Sequence, residues 1–228
     1  MNTIAERVDA LLARIATLES RYGRPHGSVT LLAVGKTHAP ERIREAHRAG
    51  LSQFGESYVQ EALPKIETLA DLPLTWHFVG RIQSNKTASI AQKFAWIHGI
   101  DRQRIAERLN EQRPASLPPI ECCIEVNLSG ERSKGGVMPE ELPALAMAIA
   151  ALPRLRLRGL MTLPEPAMGF DLQRRPFARL AGHLDELRRR IPGLDTLSMG
   201  MSGDMEAAIA EGATIVRIGT ALFGPRKR

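Results

Sequence analysis

Eight short apolar runs that alternate with amphipathic stretches predict an α/β protein, a single (β/α)8 TIM-type barrel with an extra N-terminal helix. Several of these runs are apolar throughout, which is typical of parallel strands that are covered on both faces. The chain has 228 residues, at the compact end of the range for such barrels, and no linker-like segment divides it. We therefore expect residues 1–228 to form one domain.

The predicted elements follow in order from the N-terminus. An amphipathic helix comes first, because apolar residues recur at steps of three and four at Ile4, Val8, Leu11, Leu12, Ile15 and Leu18. Strands are predicted at 30–36, 52–57, 75–80, 95–100, 120–127, 155–162, 196–201 and 214–219. Helices are predicted between them, in stretches such as PERIREAHRAG and FARLAGHLDELRRRI. A doubly wound open sheet is the alternative, but no GxGxxG fingerprint follows the first strand.

Charge and composition exclude several classes of protein. The formal charge is +6, but the arginines alternate with acidic residues and aromatic residues make up only 4% of the chain, so we expect no nucleic-acid partner. No apolar run approaches the roughly 20 residues that span a bilayer, and the N-terminus lacks a signal peptide, so we expect no membrane partner. The only cysteines are the adjacent Cys122 and Cys123, which exclude a disulfide framework and favour a cytoplasmic protein.

In a (β/α)8 barrel the functional site lies at the carboxyl ends of the strands. The residues at these ends include Lys36, Ser57, Met161, Ser202, Arg217 and Thr220. Lys36 closes the apolar run LLAVG, and a lysine held among apolar groups has its ammonium form disfavoured, which makes the amine available as a nucleophile. The alternatives for Lys36 are that its amine extends to the barrel rim or that it pairs with Glu56.

The last two predicted strands end in segments suited to an anion. Ser202 and Gly203 follow the seventh strand, and Gly219 and Thr220 follow the eighth, where barrel enzymes often hold a phosphate. The alternatives are a helix cap at Ser202 and a plain glycine turn at Gly219. Asp204 and Glu206 would repel a phosphate unless they point outward. With Lys36, these segments predict a phosphorylated aldehyde bound through a Schiff base, a description that fits pyridoxal 5′-phosphate.

Motifs along most of the chain carry a resemblance. AVGKTHAPERIREAHRAG, QFGESYVQEA, WHFVGRIQSNK, VNLSGERSKGGV, GLMT, LSMGMSGDMEAAI and VRIGTALFG resemble the YggS/PROSC family, in the same order, from about Leu32 to Gly224. The resemblance implies a barrel similar to the N-terminal domain of alanine racemase. It also implies that pyridoxal 5′-phosphate is bound covalently to Lys36, that its phosphate is held by Ser202, Gly203, Gly219 and Thr220, and that Arg217 lies near the pyridine nitrogen.

The chain departs from the family pattern at some positions, and other candidate residues compete with the site. Ser57 stands where the family usually has Asn, and His38 stands where the first motif commonly has Lys. For His77 and His98 a place in the core is favoured over a metal site, and a buried, unreactive state is favoured for the two cysteines. Lys134 resembles a family loop lysine, with a solvated loop cation as the alternative.

Three functions follow from these residues together with the resemblance. The favoured one is a non-catalytic protein of cofactor homeostasis that binds pyridoxal phosphate and delivers or buffers it, with amino acids and apo-enzymes as further partners. The alternative is an enzyme resembling an amino-acid racemase, which needs a second base from a separate domain, and we expect none after the eighth βα unit. The third, an interaction module, has only the net charge in its favour. We expect a monomer, with a dimer as the alternative.

Overall fold

The structure, a computed structural model, describes residues 3–130 and 135–225. Helix α1 spans Ile4–Arg21 and begins with a capping box, in which the Glu6 amide donates to Thr3 Oγ1 (3.2 Å) and the Thr3 amide donates to Glu6 Oε2 (2.7 Å). Its apolar face packs against the barrel helices, as the periodicity predicts. Leu12 is an exception, since it lies off this face and is 42% exposed.

The remaining elements alternate along the chain as predicted. The strands are β1 (Thr30–Val34), β2 (Gln53–Glu56), β3 (Thr75–Phe78), β4 (Trp96–Ile100), β5 (Ile120–Glu125), β6 (Leu155–Met161), β7 (Thr196–Ser198) and β8 (Ile215–Ile218). The helices after α1 are α2 (Pro40–Arg48), α3 (Val59–Thr68), α4 (Thr87–Lys93), α5 (Gln103–Gln112), α6 (Leu142–Ala150), α7 (Phe170–Arg188), α8 (Met205–Ala210) and α9 (Thr220–Phe223). One turn of 3-10 helix, Ser84–Lys86, precedes α4.

The eight strands are all parallel and close into a barrel in sequence order, with β8 pairing back to β1. The predicted (β/α)8 barrel with an extra N-terminal helix is therefore confirmed. Most strands end before the last residue of the apolar run from which they were predicted. In the seventh run, for example, β7 stops at Ser198, and Gly200 turns the chain with a φ of +93°.

Side chains alternate between the two faces of the barrel wall. On β1, Leu31 and Ala33 join the large apolar cluster under the helices, whereas Leu32 and Val34 face the barrel interior. The interior also holds buried polar side chains, at His77, His98, Ser198 and Arg217. Lys36 lies two residues beyond Val34, so the same alternation directs it to the barrel mouth.

No helix within residues 3–130 and 135–225 combines the length and the apolar character that a membrane crossing requires.

Candidate functional site

A cavity of about 270 Å³ opens at the carboxyl ends of β1, β7 and β8. It is lined by Val34, Lys36, Val79, Leu163, Met201, Ser202, Gly203, Arg217, Gly219 and Thr220. Six of the eight residues predicted for the site therefore lie around one cavity. They come from three segments of the chain, at the carboxyl ends of β1, β7 and β8, which parallel closure of the barrel brings together.

The other two predicted residues lie outside this cavity. Ser57 lines a neighbouring cavity of about 160 Å³ with Tyr58, Arg81 and Lys86, and its carbonyl oxygen packs so closely against Gly80 that a Cβ there would lie 2.1 Å from it. Met161 ends β6 and is buried. Lys134, the predicted loop lysine, lies outside the described residues.

The backbone that follows Lys36 is strained. Thr37 has a φ of +66°, a conformation that is a genuine outlier for a β-branched residue. Its amide donates to Oε2 of Glu61 on α3 (3.0 Å), which helps to hold this turn. Because such strain persists only where the surroundings impose it, the turn indicates a constraint on the direction in which the chain leaves Lys36.

A buried ion pair supports the segment before Lys36 from the outer side of the barrel wall. Nζ of Lys65 on α3 donates to Oε1 of Glu56 (2.9 Å) and to the carbonyl oxygen of Gly35 (2.8 Å). Burial raises the pKa of Glu56, and the Lys65 ammonium acts against this rise. Glu56 is thus engaged by Lys65. A side chain at position 35 would crowd the pair, because a Cβ there would lie 3.0 Å from Glu56 Oε1.

The loops after β7 and β8 form an anion cup, which we define as Ser202, Gly203, Gly219 and Thr220. Neither hydroxyl of the cup has a hydrogen-bond partner among the residues that the structure describes. A Cβ at Gly203 would meet nothing within 4 Å, so the space beside this part of the backbone is open. Hydroxyl and amide donors without carboxylates among them suit a phosphate.

The two acidic residues near the anion cup have different surroundings. Oε1 of Glu206 accepts from Arg21 (2.7 Å) and from the hydroxyl of Tyr22 (3.0 Å), at the end of α1, so this carboxylate is held away from the cup. Oδ1 of Asp204 accepts a hydrogen bond from the amide of Met201 (2.5 Å), which lines the cavity, so Asp204 stays beside the cup.

Arg217 crosses the barrel interior below the cavity and is 5% exposed. Its Nη1 donates to Oγ of Ser198 (2.7 Å) and its Nη2 donates to the carbonyl oxygen of Thr162 (2.9 Å). No carboxylate in the described ranges forms an ion pair with it. Burial lowers the pKa of Arg217 to about 10, and Asp204 and Glu125 oppose this fall, so the guanidinium remains charged at neutral pH.

Both interior histidines lie in the core, as predicted. His77 is 2% exposed and His98 is fully buried. Burial lowers the pKa of His77 to about 3 and that of His98 well below 6.5, so both rings are neutral. Within residues 3–130 and 135–225, no group of three or more His, Cys, Asp or Glu side chains is placed to bind a metal ion. Cys122 and Cys123 are buried free thiols.

The predicted site left out four apolar residues, Val34, Val79, Leu163 and Met201, which line the cavity. Val79 and Met201 lie within the strand ends that the sequence indicates but were not assigned to the site, whereas Val34 and Leu163 lie one or two residues outside those ends. Ser198, which contacts Arg217, gave no signal of its own, because a lone serine in a strand is typical of ordinary core packing.

The residues present fit a phosphorylated aldehyde. The anion cup supplies donors to a phosphate, and Lys36 supplies a primary amine at the same cavity. The fold and the site thus define a (β/α)8 barrel with a strand-end lysine beside an anion cup.

Comparison with known proteins shows the family to which this barrel belongs. The family model described as alanine racemase, N-terminal domain, matches residues 7–227. A pyridoxal phosphate homeostasis protein from Pseudomonas aeruginosa is 59% identical over 226 residues, covering 99% of this chain and 97% of the relative. One from Escherichia coli K12 is 50% identical over 229 residues, covering 99% and 98%. The structure of PipY from Synechococcus elongatus with PLP bound has a TM-score of 0.86 and 39% identity, covering 97% of this chain and 100% of PipY. The chain belongs to the YggS/PROSC family, the pyridoxal phosphate homeostasis proteins.

Proposed function

We propose that this protein binds pyridoxal 5′-phosphate covalently at Lys36 and takes part in the homeostasis and delivery of the cofactor, without strong catalytic turnover. The observation that carries the proposal is one cavity that joins the Lys36 amine to the anion cup. The family names and the PLP-bound PipY structure support the same ligand. We propose that residues 1–228 act as a single binding domain, as a monomer in the cytoplasm.

Each part of the cavity has a distinct task in this proposal. The hydroxyls and amides of the anion cup bind the phosphate and set the depth of the ligand. Bound pyridoxal phosphate supplies an aldehyde carbon that forms a Schiff base with a primary amine and a ring that withdraws electrons. Val34, Leu163 and Met201 offer the ring apolar surface. Ser57 and Met161 stay proposed neighbours of the cofactor, although neither residue lines the cavity.

Arg217 carries the argument for weak turnover. A guanidinium that stays protonated donates to the pyridine nitrogen and discourages that nitrogen from taking its own proton. The ring is then a poorer electron sink than one that faces a carboxylate. A tyrosine base is also lacking at the cavity: the chain has two tyrosines, of which Tyr22 binds Glu206 and Tyr58 lines the neighbouring cavity.

The partners follow from the same chemistry. Amino acids carry primary amines that compete with Nζ of Lys36 for the aldehyde, so we propose them as ligands of the loaded protein. Apo-enzymes that need the cofactor are the proposed recipients. The second candidate function is a racemase-like activity, which the match to the alanine racemase N-terminal domain favours. Deuterium exchange at the α-carbon of amino acids separates the two: transfer to an apo-enzyme without exchange supports the carrier, and rapid exchange that depends on Lys36 supports the enzyme.

The covalent link is tested with purified protein and added cofactor. Wild type is expected to show a visible imine absorbance that borohydride converts into a stable adduct on Lys36. Lys36→Ala is expected to lose this absorbance while keeping its fold, as followed by far-ultraviolet circular dichroism. Lys86→Ala is the matched control, since Lys86 lies at the neighbouring cavity and its loss is expected to leave the absorbance unchanged. A normal band in Lys36→Ala, reduced onto another lysine, overturns the assignment.

A further inference from the structure

A continuous chain of hydrogen bonds crosses the barrel interior and ends at Arg217. Nη1 of Arg217 lies 2.7 Å from Oγ of Ser198, and Oγ of Ser198 lies 2.7 Å from Nδ1 of His98. Nε2 of His98 lies 2.9 Å from Nδ1 of His77, whose Nε2 lies 2.7 Å from Oε1 of Gln53. The five residues come from β8, β7, β4, β3 and β2, so the chain links strands on different sides of the barrel.

The two ends of the chain determine its direction. A guanidinium can only donate hydrogen bonds, and an amide oxygen can only accept them. Arg217 therefore donates to Ser198, and Gln53 accepts from His77. Each of the three residues between them must accept one bond and donate one. It follows that the Ser198 hydroxyl donates to Nδ1 of His98, and that both histidines carry their proton on Nε2.

Burial and charge agree with this direction. Ser198 and His98 are fully buried, and His77 nearly so, which disfavours a charge on either ring. A neutral His98 with its proton on Nδ1 would have no proton on Nε2 to donate to Nδ1 of His77, so His77 would need a second proton and hence a charge. Burial, His77 and Arg217 all lower the pKa of His98. The chain therefore has one stable arrangement, with Arg217 as its single charged member.

We propose that Ser198 and His98 are positioning residues, which hold the Arg217 guanidinium in the orientation that directs its remaining N–H groups at the ring nitrogen of the bound cofactor. This inference rests on the proposed function. Of the five N–H groups of Arg217, the bonds to Ser198 and Thr162 use two. A guanidinium anchored at two points in a closed interior cannot rotate, so its remaining donors have a defined direction toward the cavity that it lines.

A purely structural role for the hydrogen-bond chain predicts a different result. If this hydrogen-bond chain only filled the barrel interior, the loss of Ser198 would weaken the binding of every ligand of the cavity to the same degree. If it aims Arg217, the loss would weaken only ligands that have a ring nitrogen. The two probes are therefore pyridoxal 5′-phosphate and its carbocyclic analogue, in which a C–H group replaces that nitrogen.

The experiment measures the equilibrium dissociation constants of both probes by fluorescence titration. Wild type is expected to prefer pyridoxal phosphate by about tenfold or more, the size of one hydrogen bond to a charged group. Arg217→Met is expected to abolish this preference. Ser198→Ala is expected to reduce it by about threefold or more, while binding of the analogue stays as in wild type.

Cys123→Ala is the matched control, since Cys123 is a fully buried residue near Arg217 that takes no part in the hydrogen-bond chain. This variant is expected to prefer pyridoxal phosphate over the analogue as strongly as wild type does. Loss of preference in Arg217→Met with full preference in Ser198→Ala overturns the inference and leaves the proposed function intact. Failure of wild type to bind pyridoxal phosphate is a failure of the proposed function instead.

A second measurement needs neither ligand nor variant. Nitrogen-15 NMR of the wild-type imidazoles is expected to show the Nε2–H form for both His77 and His98 at neutral pH. A proton on Nδ1 of His98 overturns the chain whatever the titrations show. This result also stands if Ser198→Ala fails to fold.

Discussion

Nζ of Lys65 lies 2.9 Å from Oε1 of Glu56 and 2.8 Å from the carbonyl oxygen of Gly35, the residue before Lys36. One buried ammonium therefore joins α3, β2 and the end of β1. Because the barrel wall is closed at this point, a shift of α3 would be transmitted directly to the backbone that carries the Lys36 side chain. The ion pair thus connects the stability of the barrel with the geometry of the site.

The first prediction concerns this ion pair. Lys65→Met leaves the Glu56 carboxylate buried without its partner, and we expect the free energy of unfolding to fall by about 3–5 kcal/mol in urea titrations at pH 7. Lys93→Met, at an exposed position of α4, is the control and is expected to change it by less than about 0.5 kcal/mol. The double variant Glu56→Gln with Lys65→Met is expected to recover part of the loss. A single variant as stable as wild type would contradict a buried charged pair.

The anion cup gives the second prediction. Ser202→Ala and Thr220→Val each remove one hydroxyl donor, and a hydrogen bond to a charged acceptor contributes about 1.5–3 kcal/mol. We expect each change to weaken the binding of pyridoxal phosphate by at least about tenfold. Binding of pyridoxal, which lacks the phosphate, is expected to stay unchanged, as measured by equilibrium dialysis. If wild type bound pyridoxal as tightly as the phosphorylated form, the cup would not be a phosphate site.

The third prediction is a pH dependence of stability that arises from His77. Burial lowers its pKa from 6.5 to about 3, so the unfolded chain binds more protons than the folded protein between these values. Stability from this group is complete above about pH 6.5 and is lost as pH falls toward 3. At pH 5 we expect a loss of about 2 kcal/mol relative to pH 7.

The measurement is urea unfolding of wild type and His77→Gln at pH 7, 6 and 5. The variant is expected to show a flatter profile because its side chain does not titrate. His26→Asn, at an exposed position, is expected to keep the wild-type slope. Equal slopes in wild type and His77→Gln would show that His77 is already protonated, or exposed, in the folded protein.

Much of the fold could be predicted because the alternation of apolar and amphipathic stretches is a local property. The ends of the strands could not be predicted from hydropathy. The run 196–201 remains apolar through Met199 and Met201, although β7 stops at Ser198, because Gly200 leaves the extended conformation. Burial continues beyond the hydrogen-bonded ladder, so the pattern does not show where the ladder ends.

The sequence could indicate a site residue only where the residue type is unusual at its own position. Lys36 could be singled out because a charge at the end of an apolar run is unusual, whereas the role predicted for Arg217 came from the resemblance to the family. The chain from Arg217 through Ser198 to His98 could not be found, since Ser198 and His98 are 100 residues apart and meet only across the closed barrel. A pairing of this kind depends on which interior faces oppose one another, and one-dimensional spacing does not contain that information.

The last prediction concerns the turn after Lys36. Thr37 has a φ of +66°, where an L-residue with a Cβ is disfavoured by about 1–2 kcal/mol and glycine is not. Thr37→Gly relieves this strain but also makes the unfolded chain more flexible, so we expect a net gain of up to about 1 kcal/mol in the free energy of unfolding. The same substitution at Thr17, inside α1, is expected to lower stability, because glycine weakens a helix interior. Thr37→Gly is expected to retain the cofactor less well than wild type, since a freer turn no longer holds the backbone of Lys36 in one direction. Thermal unfolding and titration with pyridoxal phosphate on the same samples test both parts, and a variant that is both less stable and equally retentive would show that the turn does not constrain Lys36.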